Sequence, residues 1–453
     1  MPMNTGTYER GSFMSSRFTR RAALTAGSIS AVAVAAGCSS GGNATPGASP
    51  NSAGSSASAE TGPIVFATGK DTSGNLQKEV DTFNKANPGE DVKVQELPDN
   101  ADQQRAQMIQ NAQNKSAAFT VLNVDVVWTA EFAANQYIDP LPDGVFDLTG
   151  FLPATVDSAT YFKKLYCVPV TSDGGMLYYR KDWLDSAGIS SPPTTWDEVK
   201  QMGDQIKSKV AAAKSADIYG GQFQKYEGLT VNFAEFVNGA GGVITGDDGK
   251  ANVNTPEATA GLQQMVDWFK DGTIPKAGLT WQEEQSRQAF QDGKLIFLRN
   301  WPYVYSSAEK TDGSSKVAGK FAVAPLPGKS GPGVSSLGGH NYAINKFAKN
   351  KGTAIKFMQF MSSEKEMNAR IKATSNAPTR KSLYNDAALV KSFPYLPVLL
   401  KSIQTAKPRP KAVKYGDVTS AIQNAAYSAL QGQASPADAL AQLQTKLESL
   451  IKV

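Results

Sequence analysis

Residues 64–67 (Ile-Val-Phe-Ala) form a short apolar run, and similar runs follow at 92–94 (Val-Lys-Val) and 124–127 (Val-Asp-Val-Val). Between the first two, Leu76, Val80 and Phe83 recur at i, i+4 and i+7, the spacing of one helix face. Residues 103–115 are also expected to be helical. Strand and helix therefore alternate, which predicts an α/β fold with a largely parallel sheet covered by helices on both faces.

Helices dominate after Asp173. Thr195 and Glu198 have the spacing of a capping box, which opens a helix expected to reach about Ala213. The apolar patterns predict further helices at 229–242, 256–271, 282–292, 354–361 and 436–450, and strands at 295–298, 321–325 and 342–345. Such a chain is too long for one core and suits two domains.

The N-terminal segment has the features of a bacterial lipoprotein signal. A basic stretch (17–21) precedes an Ala-rich apolar run (22–36), and small residues stand directly before Cys38. Residues 39–62, mostly Ser, Gly, Ala, Asn and Pro, suit a flexible linker. We therefore expect residues 1–38 to be a signal peptide and Cys38 to be acylated. The mature protein would then be anchored by lipid to the outer face of the cell membrane.

Two alternatives concern this segment. A transmembrane helix needs about 20 apolar residues, and this run is shorter and contains hydroxyl side chains. The Arg20-Arg21 pair also fits a twin-arginine export signal, and the choice between this route and the general one stays open.

Charge and composition exclude several classes of function. The chain of 453 residues carries a formal charge of +5, of which residues 1–38 contribute +3 through four Arg and one Glu. The nearly balanced remainder argues against nucleic-acid binding. Cys167 is the one cysteine left after Cys38, so no internal disulfide is expected, and a buried inert thiol is predicted. His340 is the single histidine, which argues against His-based zinc sites and Ser-His-Asp hydrolysis. We expect no metal and no cofactor.

Polar and aromatic residues gather in three stretches where packing alone does not require them. These are 123–140, 168–180 and 299–305, the last followed by Leu337-Gly-Gly-His-Asn341. Here the chain resembles the substrate-binding lipoproteins of bacterial ATP-binding-cassette (ABC) sugar importers, in their trehalose/maltose-binding branch. The matching segments, in order over residues 63–453, are 125–133, 168–184, the specific Asn300-Trp-Pro-Tyr303 motif and 407–410.

The resemblance implies a two-lobed, Venus-flytrap fold in which each lobe is a sheet flanked by helices. Lobe 1 would comprise 63–171 and 320–372, and lobe 2 would comprise 172–319 and 373–453. It also implies a monomer that captures a disaccharide or other α-glucoside by hinge closure, without catalysis. The sugar would be delivered to membrane permease subunits served by a cytoplasmic ATPase.

Site residues follow from the same resemblance. Carboxylates would accept hydrogen bonds from sugar hydroxyls, aromatic rings would stack on the sugar, arginines would donate, and glycines would let the backbone approach. The predicted carboxylates are Asp125, Asp173 and Glu227, and the predicted rings are Trp301 and Tyr303. The arginines are Arg409 and Arg105, and the glycines are Gly338 and Gly339. His340 and Thr171 stand where the family usually has aromatic residues, which leaves the identity of the sugar open.

The chemistry is consistent with an uncharged sugar. Carboxylates and guanidinium groups bind the hydroxyl edge of a sugar, and aromatic planes cover its C–H face. Several of these residues also have a structural interpretation: a cap or ion pair for Asp125, core packing for Trp301 and Tyr303, and a solvated loop position for Arg409. Arg105 could simply lie on a polar helix, and His340 could be an ordinary hydrogen-bonded loop histidine. A secreted glycoside hydrolase that uses Asp125 and Asp173, or a sugar-sensing receptor domain, remains the alternative function.

Overall fold

The computed structural model describes residues 60–451. The predicted signal peptide, Cys38 and nearly all of the linker lie outside the described residues. The strands are β1 (Ile64–Gly69), β2 (Val92–Leu97), β3 (Val121–Asp125), β4 (Thr160–Tyr161), β5 (Lys164–Leu165), β6 (Cys167–Gly174), β7 (Met176–Tyr179), β8 (Asp217–Gly220), β9 (Leu295–Asn300), β10 (Ala322–Ala324) and β11 (Leu337–Ile344).

The helices in the described part are α1 (Leu76–Ala86), α2 (Ala101–Gln113), α3 (Thr129–Ala134), α4 (Pro153–Ser158), α5 (Lys181–Ala187), α6 (Trp196–Lys209), α7 (Glu227–Gly239), α8 (Pro256–Lys270), α9 (Glu283–Gln291), α10 (Val304–Ala308), α11 (Lys351–Met361), α12 (Glu364–Thr374), α13 (Lys381–Tyr384), α14 (Ala387–Ser392), α15 (Leu396–Thr405), α16 (Tyr415–Leu430) and α17 (Pro436–Leu450). The α/β prediction is confirmed. The capping box forms as expected, since Thr195 Oγ1 accepts from the Glu198 amide and the Glu198 carboxylate accepts from the Thr195 amide. The helix it opens ends at Lys209, and a short 3-10 turn at Ala211–Ala213 follows.

Two sheets form the centres of two lobes. Lobe 1 has the order β2-β1-β3-β11-β6, and lobe 2 has the order β10-β7-β9-β8. β1, β2 and β3 run parallel, as do β8 and β9, whereas the other pairs are antiparallel. The largely parallel sheet expected from residues 64–127 holds for β1, β2 and β3, but β11 and β6 join the same sheet through antiparallel pairs. Alternation of strands and helices does not fix the direction of a strand that arrives from the other lobe.

The chain crosses between the lobes at positions that differ from the predicted boundaries. β6 belongs to the first sheet and β7 to the second, so one crossing is at Gly174-Gly175. β10 pairs with β7 in lobe 2, so the return lies between Ala324 and Leu337 and not at residue 320. Residues after 372 also contact lobe 1, since Arg380 bridges to Phe151.

Each lobe buries its own aromatic core. In lobe 2, Trp196 stacks on Phe236 at 5.4 Å between ring centroids, and Leu440, Leu443 and Leu447 of α17 are buried beside them. Phe66, Tyr342 and Phe357 form the corresponding contacts in lobe 1. The described residues fall within one compact unit that contains all of these cores, so a chain that starts at Ala57 has what it needs to fold alone.

Two further observations bear on the sequence predictions. Cys167 is fully buried and free, and burial raises the pKa of its thiol to about 12, which keeps it protonated and unreactive. Among residues 60–451, no helix is both long and apolar enough to cross a membrane.

Candidate functional site

A cavity of about 520 Å³ lies between the two sheets. The carboxyl ends of β1 and β3 reach its lobe 1 wall, which is where ligands bind in open α/β sheets. Nine of the ten predicted site residues line this cavity, from both lobes: Asp125, Asp173, Glu227, Trp301, Tyr303, Gly338, Gly339, His340 and Arg409. Thr171 lines it as well.

The register of β11 brings the two aspartates together. His340 pairs with Asp125 of β3 on one side and with Thr171 of β6 on the other, while Gly338 pairs with Asp173. The carboxylates of Asp125 and Asp173 therefore flank one central strand at the floor of the cleft. Asp125 Oδ1 accepts a hydrogen bond from the Val127 amide at 3.1 Å, which orients it.

Arg409 connects the lobes beneath this floor. Its Nη2 donates to Asp125 Oδ1 at 2.9 Å, and its Nη1 donates to Glu227 Oε1 at the start of α7. The side chain is 1% exposed, so the interpretation of Arg409 as a solvated loop residue is wrong. These two amino groups already hold carboxylates in place, whereas Nε has no hydrogen-bond partner within the described residues, so the contact between Arg409 and ligand stays a prediction.

Glu227 is the most enclosed acid of the site. Besides Arg409, it accepts hydrogen bonds from Tyr415 Oη at 2.6 Å and Thr419 Oγ1 at 2.7 Å. Burial raises the pKa of Glu227 to about 7, although Arg409 opposes the shift. Tyr415 and Thr419 were missed by the sequence analysis, which did not predict α16.

Asp173 differs from the other acids because no hydrogen bond to its carboxylate is found in the described part of the chain. The side chain is half-buried and faces the cavity. Burial raises its pKa to about 7, the negative charge of Asp125 adds to the shift, and Arg299 opposes it. A carboxylate in this state is suited to accept hydrogen bonds from a ligand.

Trp301 is fixed between a cation and a glycine. The guanidinium of Arg299 lies 3.9 Å from the indole ring centroid, and Glu235 holds that guanidinium with hydrogen bonds of 2.6 and 2.5 Å. A Cβ atom on Gly338 would lie 2.8 Å from the indole. The ring is half-buried and borders the cavity, so it serves partly as packing and partly as a surface for ligand.

Tyr303 extends the aromatic wall. Its hydroxyl donates to Glu284 Oε1 at 2.7 Å, and Tyr226 donates to the neighbouring Glu283 at 2.6 Å. Burial raises the pKa of Glu283, which the hydrogen bond from Tyr226 opposes. The sequence analysis did not single out Glu283 and Glu284, which also line the cavity.

Gly339 and His340 shape the backbone of the floor. Gly339 has φ of +110°, and a Cβ there would lie 2.3 Å from the Thr171 carbonyl oxygen, so a larger residue does not fit. The His340 amide donates to Thr171 Oγ1 at 3.0 Å, and its side chain lines the cavity. Burial lowers the pKa of His340, which favours a neutral ring.

Arg105 does not belong to this group. Its Nε and Nη2 donate to Glu131 at 2.6 and 2.5 Å, and it is not among the residues that line the cavity. The structure therefore does not bring Arg105 into the cavity, and its contact with ligand stays a prediction. An ion pair with α3 holds the polar face of α2. Its two residues are 26 positions apart, so no local sequence pattern predicts the pair.

The cavity also extends beyond the predicted site. Its outer part is bordered by Asp71, Lys310 and the buried pair of Glu79 with Arg370, whose Nε donates to Glu79 Oε1 at 2.8 Å. The extension lengthens the cleft well past the aspartates and Trp301.

Comparisons with known proteins agree with this geometry. The sequence profile of the bacterial extracellular solute-binding proteins matches residues 68–368. A probable ABC transporter-binding protein of Deinococcus radiodurans is 32% identical over 367 residues, which cover 79% of this chain and 86% of that protein. The galactooligosaccharide-binding protein of Bacillus subtilis is 26% identical over 315 residues, 67% of this chain and 70% of that protein.

Solved structures give the same result. The maltose-bound MalE3 of T. maritima superimposes with a TM-score of 0.81 at 32% identity, over 85% of this chain and 99% of that one. Such a likeness over nearly the whole of the second chain confirms the two-lobed fold. The chain described here belongs to the bacterial extracellular solute-binding protein family.

Proposed function

We propose that this protein is the extracytoplasmic, sugar-capturing component of an ABC importer, with a disaccharide or related α-glucoside of the trehalose or maltose kind as its ligand. One observation carries the proposal: Asp125, Asp173 and Trp301, from both lobes, line one cavity between the two sheets. Carboxylates beside an indole match the hydroxyl edge and C–H face of a sugar. The similarity to a maltose-bound structure and to a galactooligosaccharide-binding protein supports the ligand class.

The site residues take the following roles in this proposal. Asp173, whose carboxylate accepts no hydrogen bond within residues 60–451, accepts from sugar hydroxyls, and Asp125 accepts through the oxygen that Arg409 leaves free. Trp301 and Tyr303 form the stacking surface. Arg409 positions Asp125 and Glu227 through its two terminal amino groups.

The sugar would act by hinge closure, because a ligand that touches both lobes favours the closed state. The closed monomer would then dock on permease subunits served by a cytoplasmic ATPase. Acylation at Cys38 would keep the protein at the outer face of the membrane. A volume of about 520 Å³ lies within the range of small-molecule sites and suits a ligand of disaccharide size.

Isothermal titration calorimetry of the chain from Ala57 onward, with trehalose, maltose, sucrose and galactose-containing oligosaccharides, tests the proposal. Micromolar binding corresponds to about −8 kcal/mol. Trp301→Ala and Asp125→Ala are each expected to weaken binding at least about tenfold, the loss of one stacked or charge-assisted contact. Arg105→Ala serves as the control outside the cavity. Wild-type affinities for both site variants would remove these residues from the site.

Two alternatives are tested with the same protein. A glycoside hydrolase that used Asp125 and Asp173 would release nitrophenol from nitrophenyl glucosides, and we expect no turnover because Arg409 pairs with Asp125. A receptor role would leave the sugar titrations unchanged but would be revealed by a signalling partner in place of a permease.

A further inference from the structure

The β4–β5 hairpin presents an aromatic side chain to solvent. Phe162, at its tip, is 83% exposed, and in the described part of the chain Val413, at 43%, is the other large hydrophobic side chain that is exposed. The ring of Phe162 packs on Tyr161 at 4.5 Å between centroids. Core packing therefore does not account for a phenylalanine at this position.

The backbone of this turn is strained, because two residues other than glycine have positive φ angles. Phe162 and Lys163 have φ of +44° and +62°, and the strands pair directly on either side of them. A two-residue hairpin loop with two positive φ angles normally carries Asn and Gly, which adopt this conformation at lower cost. Strain held by non-glycine side chains is common at functional sites, which points to a role for the side chains of this turn.

Four exposed lysines lie on the two segments that carry the exposed side chains of Phe162 and Val413. Lys163 and Lys164 are on the hairpin, and Lys411 and Lys414 flank Val413 in a neighbouring segment; all four are exposed. We call Phe162, Val413 and these four lysines the hairpin patch.

Two contacts place the two segments side by side. Lys411 Nζ bonds to Asp157 Oδ2, three residues before the hairpin, and Asn135, just after the helix that packs on β4, donates to the Val413 carbonyl at 3.3 Å. The acids nearest in sequence to the patch are Asp157, which pairs with Lys411, and Asp417, so the four lysines outnumber these carboxylates.

The base of the hairpin adjoins the end of lobe 1 that is opposite to the cleft, whereas Lys411 lies beside Arg409 and Leu337, nearer to the cleft. β1 begins at Ile64 and β6 begins at Cys167, and the registers place both starts at the edge of the sheet away from the cavity. Three strand spacings separate them, about 14 Å. The segment that leads back to Cys38 therefore enters the lobe at the same edge as the hairpin. The 21 residues between Cys38 and Glu60 could span at most about 75 Å.

We propose that the hairpin patch rests on an anionic lipid surface, with Phe162 at the level of the headgroups and the lysines against the lipid charges. The proposal rests on the proposed function, since it needs a membrane-anchored protein. An aromatic side chain and several lysines are sufficient for interfacial binding. A protein partner would need a larger apolar centre than two side chains provide.

Co-sedimentation with lipid vesicles tests the proposal on the chain from Ala57 onward, which has no acyl anchor. The wild type is expected to bind vesicles of phosphatidylglycerol and phosphatidylcholine and not those of phosphatidylcholine alone. Phe162→Ala should weaken binding about tenfold, as expected for loss of one partly inserted ring. The double variant Lys163→Glu/Lys164→Glu should weaken it about tenfold or more. Lys214→Glu/Lys446→Glu, the same charge change on exposed lysines of lobe 2, should bind like the wild type.

Equal binding to both kinds of vesicle, or an equal loss in the lobe 2 control, would overturn the proposal. Binding only to membranes that contain the permease would do the same and would assign the patch to a protein partner. Sugar titrations of Phe162→Ala are expected to match the wild type. A wild-type protein that bound anionic vesicles but no sugar would instead contradict the proposed function alone.

Discussion

Substitution of Gly338 by alanine is the most direct way to disturb the aromatic wall without touching a polar group. The added Cβ would lie 2.8 Å from two atoms of the Trp301 indole and 3.2 Å from Asp173 Cβ. Ordinary van der Waals contact begins at 3.4 Å, about 0.6 Å farther than this distance to the indole. Arg299, which is bound to Glu235, packs on the indole and limits how far the ring can shift. Because the ring also borders the cavity, its displacement should disturb the surface that would contact the sugar.

Overpacking of this kind costs about 1–3 kcal/mol. If the sugar must push the ring back against this strain, its affinity falls by about 5- to 150-fold. The fold should survive, since total stability is about 5–15 kcal/mol. Trp301→Phe removes the outer edge of the ring that the added Cβ would meet. The double variant Gly338→Ala/Trp301→Phe should therefore lose little more sugar affinity than Trp301→Phe alone. This corresponds to a coupling free energy of about 1 kcal/mol or more between the two substitutions.

Calorimetric titration with the best sugar of the panel, together with thermal unfolding, measures both effects. Gly150→Ala is the matched control, because its added Cβ would meet only the end of the flexible Arg380 side chain at 3.2 Å. Wild-type affinity in Gly338→Ala, at unchanged melting temperature, would refute the idea that Trp301 is held against the ligand by this glycine.

Two further predictions concern the charges of the cleft. Sugar affinity should be greatest above pH 7 and fall as the pH drops below it, by at most about tenfold per pH unit, because sugar hydroxyls donate to the ionised form of Asp173 and its pKa is raised to about 7. Asp173→Asn should flatten the titration profile, and any slope that remains belongs to Glu227, whose pKa is also about 7; an unchanged slope would exclude Asp173 as the acceptor. Glu235→Gln should destabilise the protein by about 3–5 kcal/mol, since it leaves the buried Arg299 without its counter-charge. Denaturant unfolding measures this, with the exposed Asp185→Asn as the control expected to show little change.

Local patterns predicted the elements that form locally. The periodicities of α1 and α17, and the capping box of α6, involve residues within a few positions of each other, and the structure has all three. Strand direction in lobe 2 depends on where the chain returns from the other lobe, which no local pattern records. The α16 helix was missed, and with it Tyr415 and Thr419, the two residues that donate hydrogen bonds to Glu227.

The site shows the same division. Asp125, Asp173 and Trp301 were found through motif resemblance, and all three line the cavity. The ion pairs of Arg409 were not foreseen, because its partners Asp125 and Glu227 are 284 and 182 residues away along the chain. A lone arginine between prolines has the same appearance in sequence whether it is solvated or buried. The ion pair of Arg105 with Glu131 was missed for a similar reason, because it forms only when α2 and α3 meet.

The placement of charge in the cleft separates what stays fixed from what responds to ligand. Arg409 joins Asp125 of lobe 1 to Glu227 of lobe 2, and the Arg299–Glu235 pair contacts the crossing segment through the Ser336 amide. Separating either buried arginine from its carboxylate partner costs about 3–5 kcal/mol. This is a large share of the binding free energy of a micromolar ligand, which is about 8 kcal/mol. Opening of the cleft should therefore pivot about these ion pairs and leave them intact. Asp173 and the cavity-facing side of Trp301 lie outside this fixed set, so they are the groups whose surroundings a bound sugar would change most.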